Sequence, residues 1–545
     1  MNDDLKAKAI DGLFVRKFLK INKYIPRLVL IAGLLNHSLA TSAQTSSPNS
    51  PSVKVKQVTV DGSTVFKPAE LKGITKSLIG KEVTLEQILQ LRTAITDLYV
   101  EKGYTTSGAF FPIQDSSDGV VNIQVIEGEL ENIKISGLQR LSESYVESRL
   151  KLAASKPLNI RSLEEAIQLL QQNAIIDSID AELVGGSAPG LSVLRIELKE
   201  ASNVSTRLTV ANDVSPNIGE YRATAAIAHQ NLLGLGDRFS AEYSLTEGLD
   251  RYGLSYSLPI NARDGNLFVS YRDNDSEITD TFFSPVDIEA ESRSFSFGLR
   301  QPIIRNPQNE LALSLALDLR ENTTFLNEDS FSFDPERLGE SGESNVTALR
   351  FTQEWLARSG KNVIGTSSQF SLGLDAFDAT IDDTGTDGQF FSWLGQFQWL
   401  RALNNDRDAL IITKLATQFT PDSLLSIEQF ALGGLGSVRG YEQNQRIGDN
   451  GILGSVELRI PLVGNSSNVG LIQIAPFIDA GKVWGDEDTD NPYIASLGLG
   501  INWELEETLS VQIYYGVPLI DVEDPVDSLQ SDGLTFSLQL VPLKF

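Results

Sequence analysis

Residues 310 to 320 read ELALSLALDLR, and two chemistries alternate along them. Leu311, Leu313, Leu315, Leu317 and Leu319 fall on one side of an extended chain, and Ala312, Ser314, Ala316, Asp318 and Arg320 on the other. That is the period of two that a β-strand imposes. SFSFGLRQ (294 to 301) sets Phe295, Phe297 and Leu299 against Ser296, Gly298 and Arg300, and SQFSLGLDAF (368 to 377) sets Phe370, Leu372 and Leu374 against Ser371, Gly373 and Asp375. A soluble sandwich alternates in the same way, its apolar faces meeting in a core. Alternation therefore names the strand and leaves its solvent open.

The pattern continues from residue 203 to the end. It predicts 16 strands beginning near 204, 219, 237, 251, 265, 291, 309, 344, 363, 387, 408, 451, 469, 492, 508 and 533. The number is even and in the range of outer-membrane barrels. Connections after even-numbered strands are short, NARD and ALNND among them. Several after odd-numbered strands are long and acidic, including residues 321 to 344 and GDEDTDNP (485 to 492). Short turns on one side and long loops on the other are what a barrel threaded from the periplasm shows. The last strand, GLTFSLQL, also alternates, and the chain ends on Phe545.

Composition narrows the chemistry. Asp and Glu outnumber Lys and Arg 72 to 45, a formal net charge of -27, which argues against a nucleic-acid partner. Cysteine is absent and the histidines are His37 and His229, so disulfide frameworks, Cys/His zinc sites and histidine-based triads lack their parts. No catalytic residue, metal ligand or cofactor motif is expected. GITKSLIGKE (73 to 82) has the wrong spacing for a phosphate loop and lacks its Ser or Thr.

The N-terminus reads as a targeting segment, residues 1–43. Basic residues from Lys6 to Arg27 precede the apolar run LVLIAGLL (28 to 35), and SLATSA offers cleavage after Ala40 or Ala43. The run is far shorter than the roughly 20 residues of a spanning helix. A polar linker, QTSSPNSPS (44–52), follows. Two copies of one pattern come next, assigned to 53–129 and 130–200, with the barrel at 201–545. VKQVTVDGSTVFKPAEL (55 to 71) is echoed by LENIKISGLQRLSESYV (130 to 146), with Gly62 and Gly137 at matching places. Each copy has a helix, with an apolar face of Leu85, Ile88, Leu89, Ile95 and Leu98 in the first and of Leu163, Ala166, Ile167, Leu170 and Ala174 in the second. Each closes on strands, GVVNIQVIEGEL (119 to 130) and GLSVLRIELKE (190 to 200). Two small α+β modules are spacers, or platforms whose sheet edges bind an extended chain by strand addition.

GGLGSVRGYEQNQ (433 to 445) lies in the longest expected loop, roughly 420 to 450, between the eleventh and twelfth strands. In APFIDAGKVW (475 to 484), parity sends Ile472, Ile474 and Ile478 to lipid and Gln473, Phe477, Asp479 and Gly481 to the lumen. Arg439 of VRGY and Asp479 would pair if the loop folds back inside. The alternative is a solvated loop arginine and an unrelated lumenal aspartate.

Two tandem modules ahead of a 16-stranded barrel, VRGY in a long loop and FIDAG on a following strand together resemble the TpsB transporters of two-partner secretion. These are the hemolysin-activator-like branch of the outer-membrane insertase and translocase superfamily. The resemblance extends to VIEGEL (125 to 130), NLLGLGDR (231 to 238) and SVELRIPL (455 to 462), and covers nearly the whole mature chain. It implies a transmembrane β-barrel in the outer membrane, preceded by two polypeptide-transport-associated (POTRA) modules in the periplasm. It implies a partner, a secreted exoprotein with an N-terminal secretion domain, which the modules capture unfolded and which threads through a single monomeric barrel embedded in outer-membrane lipid. By position, Val438, Arg439, Gly440 and Tyr441 become a loop latch, Gly440 allowing the tight backbone and Tyr441 packing against the wall. Phe477, Asp479 and Gly481 become its lumenal counterpart. Only about ten residues separate the cleavage site from Val53, too few for a spanning plug helix of about 20, so the loop is expected to carry most of the closure. An insertase that assembles other outer-membrane proteins is the alternative, and such relatives usually have more than two modules. A passive porin has no need of the modules, and for a β-rich hydrolase no spacing singles out a pair of carboxylates.

Overall fold

The computed structural model describes residues 52–279, 287–333, 342–381, 386–464, 467–485, 491–522 and 527–542, and the backbone of residues 28–30. The remaining residues of the expected targeting segment and linker lie outside the described ones, apart from Ser52. Two units result, one spanning Ile25–Ala201 and the other holding Ser202–Phe545.

In the first unit the sequence repeat is a repeat of topology. Strand Gln57–Asp61 pairs in parallel with Val120–Ile126, which pairs antiparallel with Gly108–Phe110. Strand Glu129–Ser136 pairs in parallel with Leu191–Glu200, which pairs antiparallel with Ile176–Gly185. Each module carries two helices where the sequence suggested one: Pro68–Thr75 and Leu85–Glu101, then Glu143–Ala153 and Ile160–Gln171. Thr84 starts the long helix with a capping box, Thr84 Oγ1 accepting from the Gln87 amide while Gln87 Oε1 accepts from the Thr84 amide. The apolar face differs from the expected one. Ile88, Leu91, Ile95 and Tyr99 are buried, while Leu85 and Leu89 are exposed.

The paired glycines have one cause. Gly62 has φ +87° and Gly137 φ +84°, and a Cβ there would stand 2.3 Å from the Val125 carbonyl oxygen or 2.1 Å from that of Leu198. Two residues after each of those carbonyls, a carboxylate caps the turn that the glycine begins. Glu127 accepts from the Thr64 and Val65 amides and the Tyr99 hydroxyl, and Glu200 from the Gln139, Arg140 and Leu141 amides. Partial burial alone would raise the Glu127 pKa, but the bonds donated by Thr64, Tyr99 and Val65 outweigh it and hold it below the ordinary glutamate value. The modules are also joined by backbone, the Leu158 amide donating to Gly128 O at 2.7 Å and the Ile160 amide to Gly103 O at 2.9 Å.

The second unit is a closed antiparallel barrel of 16 strands. The first eight are β1 (Val204–Ala211), β2 (Arg222–Gln230), β3 (Arg238–Leu245), β4 (Leu249–Pro259), β5 (Asn266–Glu277), β6 (Ile288–Arg305), β7 (Asn309–Leu326) and β8 (Glu343–Ser359). The others are β9 (Asn362–Leu374), β10 (Phe391–Ala402), β11 (Leu410–Phe419), β12 (Asn450–Val463), β13 (Leu471–Trp484), β14 (Tyr493–Leu505), β15 (Leu509–Pro518) and β16 (Leu534–Leu540). Every strand begins within a few residues of its expected start. One loop is shorter than expected: Glu321–Leu326 stays paired to Ile288–Arg293, so β7 continues into what the sequence suggested was loop. The ring closes on β1 against β16, where Leu208–Ala211 faces Ser537–Leu540.

Side-chain exposure settles the solvent. Leu315, Phe297, Leu372 and Ile501 are each about half exposed on the outside, as are apolar side chains at alternate positions on most other strands. Inside, Asp318, Arg350, Ser371, Gln398, Glu457 and Asp479 are buried. An apolar belt of this extent is far larger than the patches soluble monomers expose, and a polar interior inverts a water-soluble core. The outside faces lipid.

Candidate functional site

Between β11 and β12 the chain neither projects into solvent nor wanders. Residues 420 to 449 form a hairpin, Phe430–Leu432 pairing with Arg446–Gly448, that lies inside the lumen. Phe430, Leu432, Val438 and Tyr441 pack with Leu394, Leu453, Val483 and Ile494 of the wall in one apolar cluster. Burial of these side chains supplies non-directional adhesion.

Direction comes from the hairpin's tip. Arg439 directs a fork at β13: Nε donates to Asp479 Oδ2 at 2.8 Å, Nη2 to Asp479 Oδ1 at 2.9 Å, and the Arg439 amide to Asp479 Oδ2 at 3.1 Å. This is the bidentate geometry that distinguishes arginine from lysine. Nη1 donates to Glu457 Oε2 on β12, and the guanidinium lies 3.7 Å from the centre of the Phe477 ring and 4.7 Å from that of Tyr514. Glu457 is shared, its Oε1 accepting from Arg459 Nε at 2.6 Å and from the Tyr514 hydroxyl at 3.2 Å. The side chain of Asp479 is 0% exposed and that of Arg439 7%. Every charge in the cluster is thus paired and hydrogen-bonded, the condition for tolerating burial.

The neighbours of Arg439 have distinct tasks. Gly440, at φ +89°, lies against Gly516 of β15; a Cβ on Gly440 would come 2.8 Å from the Gly516 carbonyl carbon, and one on Gly516 2.7 Å from Gly440 Cα. Two facing glycines let loop and wall backbones touch. Tyr441 is buried, and its hydroxyl stands 2.8 and 2.9 Å from the Ala495 and Ile520 carbonyl oxygens, which share its one proton, while accepting from the Ala495 amide at 3.2 Å. Val438 is fully buried. On β13, Phe477 lies under the guanidinium and Gly481 faces Leu432, where a Cβ would meet Leu432 Cδ1 at 2.6 Å. The structure thus brings together Arg439, Phe477 and Asp479, and seats Gly440, Tyr441 and Gly481 at the loop's contacts with the wall. Sequence reasoning missed Glu457, Tyr514 and Gly516. Glu457 was within reach, because SVELRIPL alternates and its odd positions share the lumenal parity. Among the described residues no group of three or more His, Cys, Asp or Glu is placed to hold a metal ion.

Comparison with known proteins agrees with this architecture. Residues 190–503 match the family model described as "Haemolysin secretion/activation protein ShlB/FhaC/HecB", and residues 53–128 match the ShlB-type POTRA domain. A curated relative from Escherichia coli O6:K15:H31, the outer membrane transporter CdiB, is 26% identical over 506 residues, covering 89% of this chain and 82% of its own. The hemolysin transporter protein ShlB of Serratia marcescens is 24% identical, covering 91% and 89%. Among solved structures, CdiB from Escherichia coli superposes with a TM-score of 0.74 at 21% identity, covering 99% of this chain and 98% of that one.

Proposed function

This chain belongs to the haemolysin secretion/activation protein family, POTRA modules and outer-membrane barrel included, and from that premise we propose that it secretes a partner exoprotein across the outer membrane. The modules capture the unfolded N-terminal secretion domain of the partner in the periplasm. The chain then threads through the lumen of a single barrel embedded in lipid, and the hairpin of residues 420 to 449 yields as it passes. Arg439 and Asp479 are the latch that returns the hairpin to its seat, with Val438, Gly440, Tyr441, Phe477 and Gly481 shaping the contact. The role asks nothing of the chain beyond binding and gating, and no catalytic residue is assigned.

The observation that carries capture is a sheet edge. Strand Ile176–Gly185 of the second module has Leu191–Glu200 on one side, and on the other the backbone of Leu28–Leu30 runs parallel to it, Leu28 opposite Ala181. That edge therefore accepts an extended segment, and removal of residues 1–43 would leave it bare for another.

The test compares released and outer-membrane proteins with and without this gene by quantitative mass spectrometry. Loss of one large exoprotein with other barrels unchanged is the expected result. A broad fall in outer-membrane barrels with no exoprotein missing would instead mark an insertase.

A further inference from the structure

The hairpin is held at a second place, on another part of the wall and with the charges reversed. Before the tip, Leu424 and Leu425 pack against Val346 and Ala348 of β8 and against Phe390. A 3-10 turn, Ser426–Glu428, then presents Glu428 to the lumenal wall. Glu428 Oε1 accepts from Arg320 Nη1 of β7 and from Arg350 Nη2 of β8, both at 2.7 Å. Arg350 Nε donates to Asp318 Oδ2 at 2.6 Å and Nη1 to Ser371 Oγ at 2.8 Å, and Arg320 Nη1 reaches the Ile427 carbonyl at 3.1 Å. The side chains of Glu428 and Arg350 are 5% and 6% exposed. Two guanidinium groups thus face two carboxylates, one from the wall and one from the loop.

When the loop leaves, Asp318 stays beside both arginines, 2.6 Å from Arg350 and 3.6 Å from Arg320, and the place of the Glu428 carboxylate falls vacant. The two arginines also end a wider pattern. In a chain of strongly negative net charge, every strand from β1 to β8 carries an arginine at a lumen-facing position, from Arg207 on β1 to Arg350 on β8. We propose that Arg320 and Arg350 form a carboxylate-binding site of the pore, filled at rest by the loop's own Glu428 and open, once the loop has left, to acidic side chains of a chain in transit. The identity of the occupant rests on the transport reading; the site itself does not.

The chemistry suits exchange. A buried ion cluster adds little net stability over an apolar contact, because the charges give up hydration on burial. They recover it when the lumen fills with water, so one carboxylate can replace another at these guanidinium groups without a large net change in free energy.

The test uses the full-length protein in planar bilayers, with Glu428→Gln and Arg320→Gln compared with the parent. Both substitutions weaken the anchor, so both raise the fraction of time in the large open state, Glu428→Gln by at least about tenfold, since its contacts with both arginines lose their charge while the amide oxygen still accepts. Their effects on selectivity have opposite signs. In a KCl gradient, Glu428→Gln shifts the reversal potential toward chloride and Arg320→Gln shifts it toward potassium, as loss of an anion and of a cation from the lumen requires. An oligoglutamate peptide then blocks the Glu428→Gln pore at a lower concentration than it blocks the double variant Glu428→Gln with Arg320→Gln. Selectivity shifts of the same sign, or equal block of the two pores, would overturn the proposal. If the exoprotein comparison fails while these currents behave as stated, the site stands and the transport reading falls.

Discussion

Replacing Arg439 with alanine tests the loop latch most directly. The substitution leaves the residue 439 amide on Asp479 and removes the bidentate fork, the bond to Glu457 and the contact with the Phe477 ring. Glu457 keeps Arg459 and the Tyr514 hydroxyl, so its charge stays compensated. Asp479, with no exposed side-chain surface, does not. Breaking a buried pair by removing one partner costs about 3 to 5 kcal/mol, or roughly 10² to 4 × 10³ in an equilibrium constant. That cost falls on the seating of the hairpin, because the strand ladders that close the barrel are untouched. The chain has no cysteine, so a single Val438→Cys reports seating without background. Val438 is fully buried in the seated loop, and a membrane-impermeant maleimide added outside whole cells reaches it only when the hairpin lifts. The Arg439→Ala variant should label at least about tenfold faster than its parent, allowing for partial relaxation of the site. Asp479→Ala should match it, and the double variant should add little to either. Equal labelling of Arg439→Ala and parent, with heat-modifiable mobility showing both barrels folded, would refute the reasoning.

Three further outcomes follow. Gly516→Ala sets a Cβ 2.7 Å from Gly440 Cα, backbone against backbone, so the tip must retreat; a cost of about 1 to 3 kcal/mol should appear as faster labelling of residue 438 without loss of the barrel. Tyr441→Phe removes a hydroxyl that joins Ala495 to Ile520 and should cost about 1 kcal/mol, giving labelling between that of the parent and Arg439→Ala. Glu127 has a pKa held below the ordinary glutamate value, so its contribution to the first module is full above the unfolded value of about 4.3 and is lost as pH falls through the lower folded value. Glu127→Gln should therefore increase proteolysis of the module at neutral pH and flatten the acid dependence seen in the parent; an unchanged acid profile would remove Glu127 as its cause.

The strands were legible because two solvents enforce them. Lipid outside and a polar lumen inside demand alternation at every turn of the barrel, and Leu311 to Arg320 displays it in full. The extension of β7 was not legible, because Glu321–Leu326 lies beyond the regular alternation, and polar residues signal a loop even where backbone pairing continues in water. In the first module, Leu85 and Leu89 suit an apolar stripe as well as Leu91 and Tyr99 do. Packing against the sheet chose the latter pair, and Tyr99 also reaches Glu127. Strand parity placed Asp479 inside but left the course of the loop open, so the pairing with Arg439 came from the family resemblance and not from spacing. Glu428 offered no such handle: it sits in a 3-10 turn without periodicity, and its partners are 108 and 78 residues away.

The two clusters together explain how a loop of this length finds one seat. The hairpin brings a cation to the stretch of wall that supplies Glu457 and Asp479, and an anion to the stretch that supplies Arg320 and Arg350. Apolar contacts around Val438 and Leu424 would tolerate sliding or reversal, since they carry no direction. The charges do not. Seated the other way round, Arg439 would meet Arg320 and Arg350, offset in part by Asp318, and Glu428 would meet Glu457 and Asp479, offset in part by Arg459, leaving an excess of like charge at both places in a setting of low solvent exposure. The ion pairs therefore act less as adhesive than as register: they exclude every seating but one and still let the hairpin go when water enters the lumen.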